Sequence, residues 1–389
     1  MSSVGIDQIS FYTSNYYLDL QTLAKTQNID PEKYYVGIGQ EKMGMPAHDE
    51  DIVTMAASAA APLFSDEASK SISTLLFATE TGIDQSKSAG VYVHRLLGLN
   101  ENCRVVELKQ ACYSATAAVQ MACALVARQP QISVLVIASD IAKYDLDTPG
   151  EATQGCGAVA MMIRAEPRIL QIDPEVGNYT EDVMDFWRPN YRKTAIVDGK
   201  YSTKIYLKSL KKAWQHFAES SQYCFSDLEY FCYHLPFSRM AQKAHRHLSK
   251  VNKSTLDAQA IDAQIEGSLL YNKLIGNSYA AALFIGFTSL LENSIEDLSG
   301  KRIGFFSYGS GCVAEFFSGK VLPGYEKHLF AAEHATMLNN RQELSYEQYI
   351  ALYHAPDPRE GENVSIVADT TGKFRLAGIC EHKREYVAV

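Results

Sequence analysis

The chain has 389 residues, 47% of them apolar and 21% charged, which is typical of a folded globular protein and excludes a disordered or coiled-coil chain. Its net charge of −9 provides no overall basic surface for nucleic acid. The N-terminus has no basic start followed by an apolar stretch, and no run approaches the ~18 apolar residues of a membrane helix. We therefore expect a cytoplasmic protein with no membrane or nucleic-acid partner.

Eight cysteines are spread along the chain without a CxxC pair. In a reducing compartment this spacing favours free thiols over disulfides and over a zinc site. His245 and His247 stand two residues apart, but no cysteine or carboxylate cluster joins them. We interpret them as a solvated helix face and expect no metal.

Apolar, β-branched runs alternate with helix-like segments. The strand-like runs are STLLFATE (73–80), CRVVEL (103–108), SVLVIASD (133–140) and RIGFFSYG (302–309), and the helix-like segments are residues 88–99, 112–127 and 277–293. This alternation predicts an α/β fold with largely buried strands. The polar stretches 145–154 and 249–266 indicate loops or the starts of surface helices. The tail after about residue 343 gives the weakest pattern, and residues 354–365 are predicted to be an exposed, turn-rich segment.

The pattern G-x-G-x-V-A occurs twice, in GCGAVA (155–160) and GSGCVA (309–314). Glu80 and His234 precede the two copies at the same spacing, each at the end of a strand-like run, and Cys112 and Asn277 each open a helix rich in small residues. The sequence therefore predicts two halves built on one strand–helix plan, residues 1–165 and 166–389, the second carrying a C-terminal tail. Halves packed face to face would bring the four side chains into one central crevice.

Cys112 stands where a strand-like segment ends and a helix begins. Backbone N–H groups and the helix dipole at such a position favour a thiolate, which is the nucleophilic form. A thiolate attacks thioesters and gives an acyl-enzyme, and the small neighbours Ala111, Ser114 and Ala115 leave room for an acyl group. The alternative is a buried cysteine that only packs in the core.

The other three side chains of this set are each open to two interpretations. His234 is either a cleft imidazole that works near neutral pH or a satisfied, half-buried histidine. Glu80 is either a partly desolvated base or a helix-capping carboxylate, and Asn277 is either a substrate contact or a plain N-cap.

The glycines around Ser310 allow close backbone approach, so amides here could complete an oxyanion hole with the amide of Cys112. The alternative is a tight strand entry. A dinucleotide site is disfavoured because no strand–GxGxxG–helix unit surrounds these glycines.

Several longer motifs resemble the 3-hydroxy-3-methylglutaryl-CoA (HMG-CoA) synthase family in its compact bacterial form, along most of residues 4–342. The most telling are ATETGID (78–84), QACYSAT (110–116), YTEDVMDFWRP (179–189), HLPFSRM (234–240), GNSYAAALF (276–284) and SYGSGCVAEFFSG (307–319). The resemblance implies a thiolase-like duplicated αβαβα fold of five layers, usually a homodimer. It also implies condensation of acetyl-CoA with acetoacetyl-CoA and water to HMG-CoA and CoA, in the mevalonate route to isoprenoids.

The resemblance implies a role for each residue of the set. Cys112 would carry the acetyl group, Glu80 would deprotonate the acetyl methyl, and His234 with Asn277 would hold and polarise the second substrate. No metal or cofactor is required. The resemblance places Tyr144, Thr153, Phe186 and Tyr206 around the acyl pocket. For the CoA phosphates the chain offers Arg239 and Lys243, with Lys208, Lys211 and Lys212 as a second set.

Three alternatives stay open at this point. A ketoacyl synthase of the same fold also uses Cys, His and Asn in this order, but it forms its carbanion by decarboxylation and needs no carboxylate at Glu80. A degradative thiolase carries a second catalytic cysteine in its C-terminal glycine loop, where Cys312 stands, yet the resemblance places no catalytic thiol there. A non-catalytic acyl-CoA-binding protein would not need all four groups.

Overall fold

The computed structural model describes residues 3–65, 71–355 and 362–389, and it is built from alternating strands and helices. The strands are β1 (Val4–Tyr12), β2 (Tyr16–Asp19), β3 (Lys42–Met45), β4 (Ile72–Ala78), β5 (Arg104–Leu108), β6 (Ser133–Ala142), β7 (Gly155–Ala165), β8 (Leu170–Thr180), β9 (Phe186–Trp187), β10 (Ile196–Val197), β11 (Tyr230–Tyr233), β12 (Arg302–Gly309), β13 (Val313–Val321), β14 (Gln342–Glu343), β15 (Val364–Ser365), β16 (Phe374–Cys380) and β17 (Lys383–Ala388). The α-helices are α1 (Leu20–Thr26), α2 (Ile52–Ala60), α3 (Ala89–Leu96), α4 (Ser114–Arg128), α5 (Gly199–Ser221), α6 (Ser238–Val251), α7 (Ala258–Glu266), α8 (Leu270–Ile275), α9 (Ala282–Asn293), α10 (Ala331–Asn339) and α11 (Tyr346–Tyr353).

The main sheet has nine strands in the order β11-β12-β13-β8-β1-β7-β6-β4-β5. The strand order is symmetric about the β1–β8 pair. On the two sides of this pair, β7 corresponds to β13, β6 to β12 and β4 to β11, and β5 is added at one edge. The two sides are joined where Gly5 pairs with Gln171 and Ile6 with Leu170. The repeated strand plan thus confirms the predicted duplicated α/β fold, and the predicted division of the chain after residue 165 falls between β7 and β8.

Helices and the two sides of the sheet form five layers, and three apolar clusters pack these layers together. The central cluster packs α4 and α9 between the two sides of the sheet, while α2 and α3 cover the outer face of the first side and α5 and α6 that of the second. Helix α9 is buried on every face from Ala282 to Leu291, as expected for a helix enclosed by sheets. Residues 133–140 of β6 are buried on both faces for the same reason, which is why this segment is a continuous apolar run.

The C-terminal tail adds two small units to this core. Strands β16 and β17 form a hairpin whose Leu376 and Tyr386 pack into the cluster of α2 and α3. Helix α11 packs in a separate cluster with the antiparallel pair of β2 and β3 and with α1. Half of the predicted turn-rich segment at 354–365, residues 356–361, lies outside the described residues, and its last two residues form β15.

The two predicted polar segments agree with the structure. Residues 249–266 contain the end of α6, a connection and all of α7, and residues 145–154 form turns with one 3₁₀ turn at Glu151–Thr153. His245 is fully buried, so the prediction of a solvated face is wrong for this histidine. Its ring nitrogens contact the Tyr233 hydroxyl at 2.8 Å and Gln264 Oε1 at 3.0 Å, which satisfy the imidazole inside the protein.

Candidate active site

Cys112 lies in a tight turn between β5 and α4. Helix α4 begins at Ser114, and Ala111 has a φ of 44°, a left-handed conformation that is uncommon for a residue with a Cβ. The turn is closed by the N–H of Tyr113, which donates to the Gln110 carbonyl at 3.1 Å. Cys112 is 9% exposed, so the turn leaves the thiol largely within the protein.

The loop that carries Ser310 packs directly on this turn. Gln110 Nε2 donates to the Ser310 carbonyl at 3.3 Å. A Cβ at Gly309 would lie 2.5 Å from the Gln110 carbonyl oxygen, so only glycine permits this approach. The structure therefore brings Ser310 and the Cys112 turn together, and the oxyanion role of their amides stays a prediction.

An aromatic pocket surrounds the thiol. Cys112 shares one apolar cluster with Tyr144, Tyr279 and Phe186. The ring centroids are 6.2 Å apart for Tyr144 and Phe186, 6.4 Å for Tyr144 and Tyr279, and 5.7 Å for Phe186 and Tyr279. Three rings in edge-on contact form a rigid apolar wall. This wall is the apolar surface against which the Cys112 thiol packs.

Glu80 follows β4 and lies close enough to Cys112 to affect its ionisation. Its Oε1 is buried and has no hydrogen-bond partner among the described residues. Burial raises the pKa of the Glu80 carboxyl well above its usual range, the nearby charge of Asp140 adds to this, and Arg188 opposes it. Arg188 also donates to the Glu80 backbone carbonyl. A buried carboxyl with one free oxygen and a raised pKa is a strong base once it is ionised.

The thiol of Cys112 is protonated in this environment. Burial raises its pKa well above the ordinary value, and the carboxyls of Glu80 and Asp140 raise it further. The thiolate predicted from the helix N-terminus is therefore wrong for the free protein. Desolvation and neighbouring negative charge outweigh the backbone amides, so a base must accept the proton when the sulfur attacks.

His234 follows β11 in the second half of the fold, and Tyr206 links it to the surroundings of Cys112. Its backbone N–H donates to Phe306 at 2.8 Å, and its carbonyl accepts from the Tyr206 hydroxyl at 2.8 Å. Nδ1 is buried without a partner in the described part of the chain. Burial lowers the pKa of the imidazole to about 3, so the ring is neutral near pH 7 and acts through hydrogen bonds rather than positive charge. Tyr206 lies near the sulfur, since Cys112 raises its pKa further.

Asn277 and Thr153 meet at the pocket through the backbone. The N–H of Asn277 donates to the Thr153 carbonyl at 3.2 Å, and Asn277 Oδ1 accepts from the N–H of Tyr279 at 2.9 Å. The side chain of Asn277 also hydrogen-bonds to the Tyr144 side chain, which opposes the rise in the pKa of Tyr144 caused by burial. The Thr153 hydroxyl donates to the Gly150 carbonyl at 2.7 Å, so its local role is to shape the segment.

The two basic residues predicted for CoA lie outside the pocket. Arg239 and Lys243 stand on the first turns of α6, where Arg239 Nη1 donates to Gln242 Oε1 at 2.5 Å. Lys243 Nζ lies 5.5 Å from the Phe237 ring centroid. Lys208, of the second basic set, pairs with Glu181 at 2.7 Å. The structure does not bring Arg239 or Lys243 into contact with Cys112, and their binding role stays a prediction.

Four residues of the site escaped the sequence analysis: Asp140, Asp185, Arg188 and Tyr279. Asp185 accepts from the Tyr308 hydroxyl at 2.6 Å and from the N–H of Gly311 at 3.0 Å, which ties β9 to the Ser310 loop. Asp140 ends the buried run SVLVIASD, and a charged residue at the end of such a strand was a usable signal. Asp185 and Arg188 lie within the YTEDVMDFWRP motif, where no periodicity marks them.

The described ranges contain no group of three or more His, Cys, Asp or Glu side chains placed to hold a metal ion. They also contain no helix long and apolar enough to cross a membrane.

Comparison with known proteins gives matches along the chain. The family model for the N-terminal part of hydroxymethylglutaryl-coenzyme A synthase matches residues 1–167, and that for the C-terminal part matches residues 170–257 and 246–359. The hydroxymethylglutaryl-CoA synthase of Enterococcus faecalis is 42% identical over 352 residues, covering 90% of this chain and 91% of the relative. A polyketide biosynthesis 3-hydroxy-3-methylglutaryl-ACP synthase of Bacillus subtilis is 35% identical, covering 91% and 88%.

Solved structures agree with these matches. A crystal structure of an HMG-CoA synthase complexed with CoA superimposes with a TM-score of 0.94 at 40% identity, covering 100% of both chains. The HMG synthase of the curacin biosynthetic pathway has a TM-score of 0.92 at 32% identity, also covering 100% of both chains. Both family models match, and a relative is 42% identical over 90% of this chain, so this chain belongs to the hydroxymethylglutaryl-coenzyme A synthase family.

Proposed function

We propose that this protein condenses acetyl-CoA with acetoacetyl-CoA and water, giving HMG-CoA and CoA through an acetyl group held on Cys112. Three observations carry the proposal: an aromatic cluster surrounds the Cys112 thiol, the buried Glu80 carboxyl affects the ionisation of this thiol, and Tyr206, which lies near the sulfur, bonds to His234. The family supports it, and a solved relative at 36% identity is described in complex with 3-hydroxy-3-methylglutaryl coenzyme A.

The first step is transfer of the acetyl group. The Cys112 sulfur forms a bond to the acetyl carbonyl carbon, the bond from that carbon to the CoA sulfur breaks, and the thiol proton passes to the departing sulfur through a base. The rings of Tyr144, Phe186 and Tyr279 enclose the acetyl methyl, and amide donors of the Cys112 turn and the Ser310 loop would stabilise the oxyanion.

The second step forms the carbon–carbon bond. Ionised Glu80 removes a proton from the acetyl methyl, and the resulting carbon attacks the C3 ketone of acetoacetyl-CoA. The ketone oxygen becomes an alcohol by gaining the proton that Glu80 removed, which leaves Glu80 ionised again. Because its pKa is near 3, His234 polarises that ketone as a neutral donor. Water then cleaves the thioester to Cys112, which frees HMG-CoA and restores the thiol.

The finer assignments follow from the family and belong to this proposal. They are a homodimer, a cytoplasmic location, a place in isoprenoid synthesis through mevalonate, and chemistry without a metal or a redox cofactor. Thioester activation supports the last, since CoA serves as both the activating and the leaving group.

The source of the acetyl group has one alternative. Two relatives of this chain are described as acting with an acyl carrier protein, one of them as a complex with acetyl donor-ACP. The matches to the two family models do not show whether this chain takes acetyl from CoA or from a carrier protein. A direct comparison of acetyl-CoA with acetyl-loaded carrier protein, at matched concentration, decides between them.

The test begins with labelled acetyl-CoA, an acid quench and mass mapping of the adduct. We expect the label on the peptide that carries Cys112, and after acetoacetyl-CoA is added we expect HMG-CoA and a free thiol. Cys112→Ser should give no adduct, while Cys224→Ser, which alters an exposed thiol, should label as the wild type. Absence of a Cys112 adduct with both donors would contradict the proposal.

A further inference from the structure

Helix α11, in the tail that gives the weakest sequence pattern, packs on the segment that carries Tyr144. Residues 143–154 connect β6 to β7 and contain both Tyr144 and Thr153. Two tyrosines of α11, Tyr349 and Tyr353, make their hydrogen bonds to this segment. The tail therefore touches the site through the residues that support its aromatic wall.

The carbonyl of Tyr144 is held by Tyr353. The Tyr353 hydroxyl donates to the Tyr144 carbonyl oxygen at 2.7 Å. The adjacent Lys143 also contacts Tyr353. Its Nζ donates to the Tyr353 carbonyl at 2.7 Å and lies 4.2 Å from the centroid of the Tyr353 ring. The C-terminal end of α11 and the backbone at 143–144 are thus fixed to each other by three interactions.

The N–H of Tyr144 is held by a buried chain of polar groups. It donates to Gln154 Oε1 at 3.0 Å, and Gln154 Nε2 donates to the Tyr349 hydroxyl at 2.9 Å. The Tyr349 hydroxyl donates in turn to Glu151 Oε1 at 2.9 Å. Tyr349 and Glu151 are fully buried, so this chain of bonds has little freedom and is costly to break.

We propose that Tyr349 and Tyr353 are positioning residues that set the acyl selectivity of the Cys112 pocket by fixing Tyr144 at both of its backbone polar groups. The proposal rests on the proposed function, because it assigns the acyl group that Cys112 accepts. Tyr144 lies in the cluster with Cys112, and its ring packs edge-on against the rings of Phe186 and Tyr279. A shift of its backbone therefore moves a wall of the pocket.

Selectivity is the property this arrangement controls. An apolar pocket with rigid walls gives two substrates that differ by one methylene a ratio of kcat/KM of about 10–200. With its backbone released, the Tyr144 ring can move away and admit a propionyl group. Release of the wall should therefore lower the preference for acetyl over propionyl more than it lowers the rate with acetyl.

The experiment measures Cys112 acylation by acetyl-CoA and by propionyl-CoA in single-turnover mass spectrometry. We expect Tyr353→Phe to reduce the acetyl-to-propionyl ratio of acylation rates about tenfold. A ratio of two rates on the same sample does not depend on the folded fraction, so a purely structural loss would leave it unchanged. Tyr17→Phe is the matched control, because it removes a hydroxyl that contacts Glu343 at 3.4 Å on the surface.

A second variant tests the route of the effect. In a Tyr144→Ala background the ring is absent, so Tyr353→Phe should change the ratio by less than about twofold. An unchanged ratio in Tyr353→Phe alone, or the same tenfold loss in the Tyr144→Ala background, would overturn the inference. Either result with a normal acetyl adduct on the wild type leaves the proposed function standing, whereas a wild type without any adduct contradicts the function itself.

Discussion

Glu80 sits in a loop whose polar groups converge on the buried carboxylate of Asp140. Asp140 Oδ1 accepts from the N–H of Glu80 at 2.9 Å and from the Thr79 and Thr81 hydroxyls at 2.7 and 2.6 Å. Asp140 Oδ2 accepts from the N–H of Ala280 at 3.0 Å. One carboxylate thus places the proposed base and attaches its loop to the opposite half of the protein.

Glu80→Gln separates the two chemical steps. The amide keeps the shape of the side chain but cannot accept the methyl proton, so acetyl-Cys112 should still form. Condensation should fall about 10²–10⁴-fold, the usual contribution of a general base. The measurement is acetyl adduct and HMG-CoA from the same sample, with Glu101→Gln on the surface as control. Normal condensation in Glu80→Gln would show that another group is the base.

Asp140→Asn is expected to shift the pH dependence of condensation. The charge of Asp140 raises the pKa of Glu80, so its removal lowers that pKa and leaves Glu80 ionised at lower pH. The rising limb of condensation rate against pH should therefore move to lower pH, measured on preformed acetyl-Cys112. A limb that stays in place or moves to higher pH would contradict the assignment of that limb to Glu80.

At the scale of elements, helix α4 is fixed to the opposite side of the sheet by Glu315 of β13. The Tyr113 hydroxyl and Gln120 Nε2, at the start and middle of α4, each donate to one oxygen of this carboxylate at 2.7 Å. Burial raises the pKa of Glu315, so the two bonds stabilise a group that would otherwise be costly to bury. This contact therefore positions the turn that carries Cys112.

Tyr113→Phe should destabilise the protein by about 1–3 kcal/mol, because it leaves one oxygen of the buried Glu315 carboxylate unpaired. Chemical denaturation monitored by tryptophan fluorescence measures the change. Tyr230→Phe removes an exposed hydroxyl bonded to Glu296 at 3.2 Å and should cost less than about 0.5 kcal/mol. Equal effects of the two substitutions would rule out a special role for the Glu315 contact.

At the scale of the whole molecule, Arg341 joins three parts of the chain that are distant in sequence. Its guanidinium donates to the carbonyls of Ser14 at 3.0 Å, Tyr16 at 3.1 Å and Leu274 at 2.7 Å. Burial lowers its pKa to about 10, and the charge remains at pH 7. This planar donor holds together the connection between α10 and β14, the β1–β2 connection and α8.

Arg341→Lys should cost about 2–4 kcal/mol, because a single ammonium cannot reach three carbonyls in the directions that the guanidinium spans. Arg246→Lys changes an exposed pair with Asp262 and should cost at most about 1 kcal/mol. The free energy of unfolding in urea compares the two. A loss at Arg341 no larger than that at Arg246 would contradict the joining role.

The sequence by itself determined the α/β class, the duplication and the positions of Glu80, Cys112, His234 and Asn277. These features depend on local signals: apolar runs buried on both faces, a helix start after a strand, and a repeated spacing. The fold confirmed the duplication because a repeated strand plan gives a mirrored sheet.

Only the tertiary structure decided how these side chains ionise and what holds them. The thiolate expected at Cys112 is a thiol, because burial and the carboxyls of Glu80 and Asp140 come from distant segments. The support of Tyr144 by Tyr349 and Tyr353 joins residues about two hundred positions apart. Desolvation and long-range hydrogen bonds depend on which surfaces meet in three dimensions, and no local pattern in the chain records that.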